Sequence, residues 1–179
     1  MNIRVIYVVR HCEAKGQAPE AELTVQGRNQ ALEVAKFFKN KNISHIISSP
    51  YERAFQTIKP FARQNKLSIE TTTLLSERVL STKNEPDWLE KLQATFEDME
   101  LKYEGGESSV EAQNRIVEVI EHVKEQHSGN TVVVTHGVVL SLLLKTIGEF
   151  DFSDWQGLRN PDIFQLIYER DQWKYQRVW

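Results

Sequence analysis

The chain has 179 residues, 40% of them hydrophobic and 26% charged, with a net charge of −3 at pH 7. That length suits one domain with a sizeable core, and the slight acidity excludes the extended basic surface that nucleic acid or an anionic membrane would require. A single cysteine, Cys12, excludes an internal disulfide and a cysteine-built metal site. No apolar run is long enough to cross a bilayer, and the first residues lack a signal-peptide cleavage site, so the expected compartment is the cytoplasm.

The elements alternate strand and helix. Ile3–Val9 is β-branched and nearly continuous, which predicts a strand covered on both faces. Thr24 caps a predicted helix to about Lys39, with Ala31, Leu32, Ala35 and Phe38 inward. Ile43–Ile47 reads as the next strand. Ser49-Pro50 predicts a helix start, serine as cap and proline in the first turn, with Ala54, Ile58, Phe61 and Ala62 buried.

Ile69–Leu75 is a third, shorter predicted strand. Asn84-Glu85-Pro86 opens a helix carrying Trp88, Leu89, Leu92, Phe96 and Met99 at helical spacing. After Gly105-Gly106, Ser108 and Glu111 form a capping-box pattern for a helix with Ile116, Val119, Ile120 and Val123 inward. Thr131–Thr135 is a fourth strand, followed by an apolar helix ending at Gly148. Ile163–Glu169 and Trp173–Val178, joined by Arg170-Asp171-Gln172, read as a terminal hairpin. Its aromatics, Trp173, Tyr175 and Trp179, suit either a pairing edge or internal packing, so the oligomeric state stays open. The pattern predicts a three-layer α/β/α fold with a mainly parallel sheet, residues 78–106 forming a lid or insertion in a single domain (1–179).

Two segments carry the chemistry. Arg10-His11 and Thr135-His136-Gly137 each end an apolar strand, where an open α/β sheet presents ligand-facing residues. Arg10 and Arg53, converging, would make a bidentate clamp for phosphate or carboxylate; singly, each reads equally well as a surface ion pair. His11 and His136 suit nucleophile, base, acid or metal ligand at neutral pH, although no His-x-x-x-His or cysteine-rich spacing supplies further metal ligands. Gly137 admits close approach of an anion to the following helix. Glu77 suits a general acid; a salt bridge to Arg78 or Arg53 explains it as well. Glu107 is explained by the dipole of the helix it precedes. His45, His122 and His127 read as surface residues.

The residues in order now resemble the histidine phosphatase superfamily, which includes the cofactor-dependent phosphoglycerate mutases. The matches are Val9-Arg10-His11-Cys12-Glu13, Leu23-Thr24 with Gly27 and Gln30-Ala31, and Ser48-Ser49-Pro50 with Arg53-Ala54 and Gln56-Thr57. They continue through Glu77, Gly105-Gly106-Glu107-Ser108 and Val134-Thr135-His136-Gly137. The resemblance implies a phosphoglycerate mutase-like fold and a phosphatase needing no metal and no cofactor. It implies His11 as the phosphoryl-accepting nucleophile, Arg10, Arg53 and His136 as phosphate ligands, and Glu77 as proton donor and then base. Gln17 stands where many members have a phosphate-contacting asparagine.

Two departures stand out. Cys12 replaces the glycine that usually follows the nucleophile, and reads either as a small buried residue or as a thiol activated by Arg10 and His11. After Glu77 the family's Trp-Glu-Gly-like stretch gives way to Arg78-Val79-Leu80-Ser81-Thr82-Lys83. The partner is therefore expected to be a small phosphorylated metabolite, with no nucleic acid and no membrane. Hydrolysis through phosphohistidine leads, because the short span from His11 to Leu23 leaves little material to enclose a bisphosphorylated intermediate. A phosphoglycerate mutase and a non-catalytic phosphate-binding regulatory module are the alternatives.

Overall fold

The computed structural model describes residues 3–179. Its centre is strand β1 (Arg4–Arg10), which pairs in parallel with β4 (Asn130–Thr135) and antiparallel with β5 (Asp162–Glu169). Beyond β4 lie β2 (Ile43–Ser48) and the two-residue β3 (Glu70–Thr71), both parallel; beyond β5 lies β6 (Gln172–Arg177), antiparallel. The sheet order is β3-β2-β4-β1-β5-β6. The sheet is therefore mixed, parallel over four strands and antiparallel at the terminal hairpin.

Alternation along the strands builds two cores. Tyr7, Val9, Ile46, Val132 and Val134 face α1 (Val25–Phe38) and α2 (Glu52–Asn65), while Ile6, Val8, Ile47 and Val133 face α4 (Ser109–Gln126) and α5 (Gly137–Ile147). These strands are buried on both sides, which is why they read as continuous apolar runs. The predicted caps form as expected. Thr24 accepts from the Gly27 N–H at 2.9 Å, and Ser108 and Glu111 exchange both bonds of the capping box.

Gly27 is required for another reason. A Cβ there would stand 2.0 Å from the Glu13 carbonyl oxygen, so only glycine lets α1 close onto the loop after β1.

Several boundaries differ from the sequence expectation. Helix α2 begins at Glu52 with Tyr51 at its cap, because the Ser49 N–H is still bonded to Val134 O at 2.9 Å. The third strand stops after Glu70–Thr71, since its partner β2 ends at Ser48, and Thr73–Leu75 tightens into a 3-10 turn. Helix α3 is Trp88–Glu97, leaving Met99 beyond its end and Trp88 and Leu89 50% and 41% exposed. On α1, Val34 fills the inward place expected for Leu32.

A short helix, α6 (Phe152–Gln156), was not anticipated; it opens on an Asp151/Asp154 capping box. The β5–β6 hairpin turns at Arg170-Asp171, both at positive φ, as a two-residue turn with left-handed central residues demands. Its aromatics pack inward, Tyr175 on Phe150 and Phe164 and Trp179 on Phe37. No helix among the described residues is long and apolar enough to cross a membrane.

Candidate active site

Strands β1 and β4 are neighbours, yet α1 covers one face and α5 the other. Chains that leave adjacent strands in opposite directions open a crevice at the strand ends. His11 and His136 stand there side by side, ring centroids 5.2 Å apart, with the His11 N–H extending the ladder to Thr135 O at 3.1 Å.

His11 is held in one tautomer. Nδ1 lies 2.7 Å from the Cys12 carbonyl oxygen, which only accepts, so Nδ1 carries the hydrogen. Nε2 is left with its lone pair and accepts from Arg53 Nε at 3.2 Å. Burial, with the nearby Arg53 and Arg10 charges adding to it, pushes the imidazole pKa down from 6.5 to about 3, so the ring is neutral at pH 7. Arg53, itself buried, is steadied by Gln17 O at 3.0 Å and Ala18 O at 2.9 Å.

Arg10 donates through Nη1 to Leu158 O at 3.1 Å, and its buried Nε finds no partner within the protein. His136 is fully buried, with its pKa well below the usual value through burial first and then its cationic neighbours and His11. Its Nε2 lies 2.8 Å from Ser49 Oγ, which also accepts from the Tyr51 N–H, while Nδ1 is unpartnered. Two buried nitrogens without protein partners, one cationic, beside a neutral imidazole lone pair form a setting for an oxyanion.

Glu77 makes no salt bridge among the described residues. Its oxygens accept from the N–H groups of Arg78 at 2.9 Å and of Val138 and Val139 at 3.1 Å, so the carboxylate sits on the first turn of α5. The expected ion pair to Arg78 gives way because Arg78 is spent elsewhere, on Glu107 O, Thr95 Oγ1 and Ser109 Oγ. Glu107 is likewise more than a dipole partner. It forms a two-point pair with Arg115 at 2.8 and 2.7 Å, and Arg115 Nη1 grips Leu74 O and Ser76 O, each at 2.7 Å, just ahead of Glu77.

Gly137 makes room for the Arg10 and Trp155 side chains: a Cβ there would stand 3.1 Å from Arg10 Nε and 3.3 Å from Trp155 Nε1. Gln17 is exposed at the rim of a cavity of about 330 Å³ that also opens onto Arg10 and Glu77. Cys12 is fully buried against Leu23 and Ala31, and burial pushes its thiol up to about 12, so neighbouring cations do not activate it. His45 and His127 are not surface residues but a half-buried stack with centroids 3.7 Å apart. Among the described residues no three His, Cys, Asp or Glu side chains are grouped to hold a metal ion.

Ser49 and Arg115 are the residues that sequence reasoning assigned elsewhere or left out. The serine looked like a cap, and nothing local marks an arginine inside α4 as a support for a loop 40 residues earlier.

A family model of the histidine phosphatase superfamily (branch 1) matches residues 6–179. The chain belongs to the histidine phosphatase superfamily. It is an enzyme of the histidine phosphatase type with a phosphoglycerate mutase-like α/β fold. A curated relative from Salmonella choleraesuis, named "Probable phosphoglycerate mutase GpmB", is 27% identical over 190 residues, covering 94% of this chain and 86% of the relative. The solved mycobacterial glucosyl-3-phosphoglycerate phosphatase superposes with a TM-score of 0.81 at 22% identity, covering 98% of both chains. A phosphoglycerate mutase from Bacillus anthracis gives 0.78 at 18% identity, over 99% of this histidine phosphatase and 93% of that chain.

Proposed function

We propose that this histidine phosphatase is a metal-independent phosphomonoester hydrolase that works through a phosphohistidine at His11, on a small phosphorylated metabolite in the cytoplasm. The observation that carries the reading is the single tautomer of His11: Nδ1–H bonded to Cys12 O, Nε2 bearing its lone pair beside Arg53.

In the first step that lone pair attacks phosphorus, the bond from phosphorus to the ester oxygen breaks, and Glu77, entering as the acid, gives the leaving oxygen its proton. In the second step Glu77 takes a proton from water as the water oxygen attacks phosphorus. The bond from phosphorus to Nε2 then breaks, releasing phosphate and restoring both groups. As the His11 lone pair turns to phosphorus, Arg53 Nε passes from that lone pair to the phosphoryl oxygens, and with Arg10 and His136 it takes up the charge on the transferring group, which is most of what phosphoryl transfer asks of a protein. Gln17 and the main chain at Gly137 are the remaining proposed contacts to substrate, the Val138 and Val139 N–H groups being held by Glu77, and residues 78–106 the proposed cover.

Brief turnover of an aryl phosphate followed by quenching in base is expected to trap stoichiometric acid-labile phosphate on His11. His11→Ala is expected to lose about 10⁴-fold or more in kcat while retaining its melting temperature within a few degrees. Turnover by that variant within tenfold of the parent would remove the nucleophile assignment. A mutase reading has the name of the Salmonella relative behind it. With 3-phosphoglycerate and 2,3-bisphosphoglycerate present, isomerisation faster than phosphate release would decide for it.

A further inference from the structure

The cavity that opens onto Arg10 and Glu77 has a mixed lining. Its polar residues are Arg10, Glu77, Arg78 and Gln17; the rest of the lining is Leu80, Trp88, Leu92, Val138 and Trp155. The polar lining is largely committed. Arg78 spends four of its five N–H groups on Glu107 O, Thr95 and Ser109. Glu77 is taken up by three main-chain N–H groups. Arg10 faces the transferring group. A leaving group bearing a carboxylate, a second phosphate or several hydroxyls would meet apolar walls with Gln17 as its chief polar partner, and its desolvation would go uncompensated.

The apolar walls are built and supported. Trp155 stacks on Phe152 with ring centroids 5.3 Å apart, and Phe152 meets Phe96 of α3 edge-on at 5.8 Å. This ladder joins α6 to α3 and fixes the indole. Its Nε1 lies 3.3 Å from where a Cβ on Gly137 would stand, beside Arg10 Nε at 3.1 Å from the same point, so the indole's polar edge is turned towards Arg10. Trp88, first residue of α3, borders the cavity while half exposed. A helix anchor would be buried there, as Leu92 and Phe96 are. A half-exposed tryptophan lining the same cavity as a second, fixed one offers aromatic surface to a flat apolar group.

Resting on the hydrolase reading, we propose that Trp88 and Trp155 form a leaving-group subsite, and that the substrate class is phosphomonoesters of aromatic or otherwise apolar alcohols rather than sugar phosphates or phosphoglycerates. The test compares benzyl phosphate with glycerol 3-phosphate and 3-phosphoglycerate. The alcohol oxygen is on a primary carbon in all three, which limits differences in leaving ability. The kcat/KM for benzyl phosphate is expected to exceed the others by about tenfold or more. Trp88→Ala is expected to raise KM for benzyl phosphate about tenfold and bring the ratio near one, with an unshifted thermal melt showing that the fold is kept.

Binding is read separately from turnover. Benzylphosphonate, followed by tryptophan fluorescence, is expected to bind at least tenfold more tightly than methylphosphonate. Equal kcat/KM for benzyl and glycerol phosphates, equal binding of the two phosphonates, or an undiminished preference in Trp88→Ala would overturn the subsite. Tight benzylphosphonate binding with no hydrolysis of any ester and no phosphate on His11 would uphold the subsite and overturn the hydrolase reading instead.

Discussion

Ser49 sits at a junction where one hydroxyl serves two purposes. It receives the Tyr51 N–H at 3.2 Å and meets His136 Nε2 at 2.8 Å. The hydroxyl so ties the His136 ring to the turn that opens α2. Ser49→Ala therefore frees the ring without emptying the core. Steady-state kinetics are expected to show kcat reduced about tenfold, the worth of one hydrogen bond to a group under charge, with KM changed less. Rescue by Ser49→Thr checks that the hydroxyl is responsible. Arg10, His11 and His136 were legible in the sequence because each lies at or just beyond a strand end, where an apolar run stops at a charged or imidazole side chain, and Arg53 because it falls in the first turn of the helix that follows such a strand. Ser49 was legible as a residue but not in its role, because its partner is 87 positions away and the same serine-proline pair also spells a helix start.

At the scale of elements, the N-terminus of α5 and the loop before it act together. Glu77 reaches α5 only because the chain after β3 tightens into a 3-10 turn, with Thr135 Oγ1 holding Leu75 O at 2.7 Å and Arg115 holding Leu74 O and Ser76 O. Arg115→Lys keeps the charge facing Glu107 but loses the fork that grips two carbonyls at once. It is expected to slow alkyl phosphate turnover about tenfold and p-nitrophenyl phosphate much less, because the latter leaving group needs no proton. A uniform loss on both esters would make Arg115 a stability residue only. The long helices were readable from periodicity and caps. The 3-10 turn and α6 were not: one replaces a β-branched stretch when its partner strand ends, and the other is only five residues long.

For the whole molecule, the two buried imidazoles shape the response to acid. His11 is held near pKa 3 against 6.5 for a free imidazole, and His136 is shifted in the same direction. Above pH 6.5 both rings are neutral whether the chain is folded or not, so they leave stability unchanged there. Below pH 6.5 the unfolded chain takes up protons that the fold refuses, and stability falls as pH drops towards 3. Each such proton steepens the loss by about 1.4 kcal/mol per pH unit. Melting temperatures measured from pH 8 to pH 4 are expected to hold and then descend, and a His11→Gln variant is expected to descend less steeply. A parallel descent in both proteins would show that other groups govern acid unfolding.

The unpartnered Arg10 Nε and His136 Nδ1 also bear on how the enzyme meets its own product. On the proposed mechanism the pocket that takes the phosphoryl group also seats free orthophosphate, and whatever binds only the folded chain stabilises it, by about 2.7 kcal/mol at a hundred times its Kd. Orthophosphate at fixed ionic strength is thus expected to raise the melting temperature while slowing turnover competitively, an effect visible by scanning calorimetry beside initial rates. Robustness and throughput would then be set against each other by the phosphate level of the surroundings: the medium that best preserves this catalyst is the one in which it works most slowly.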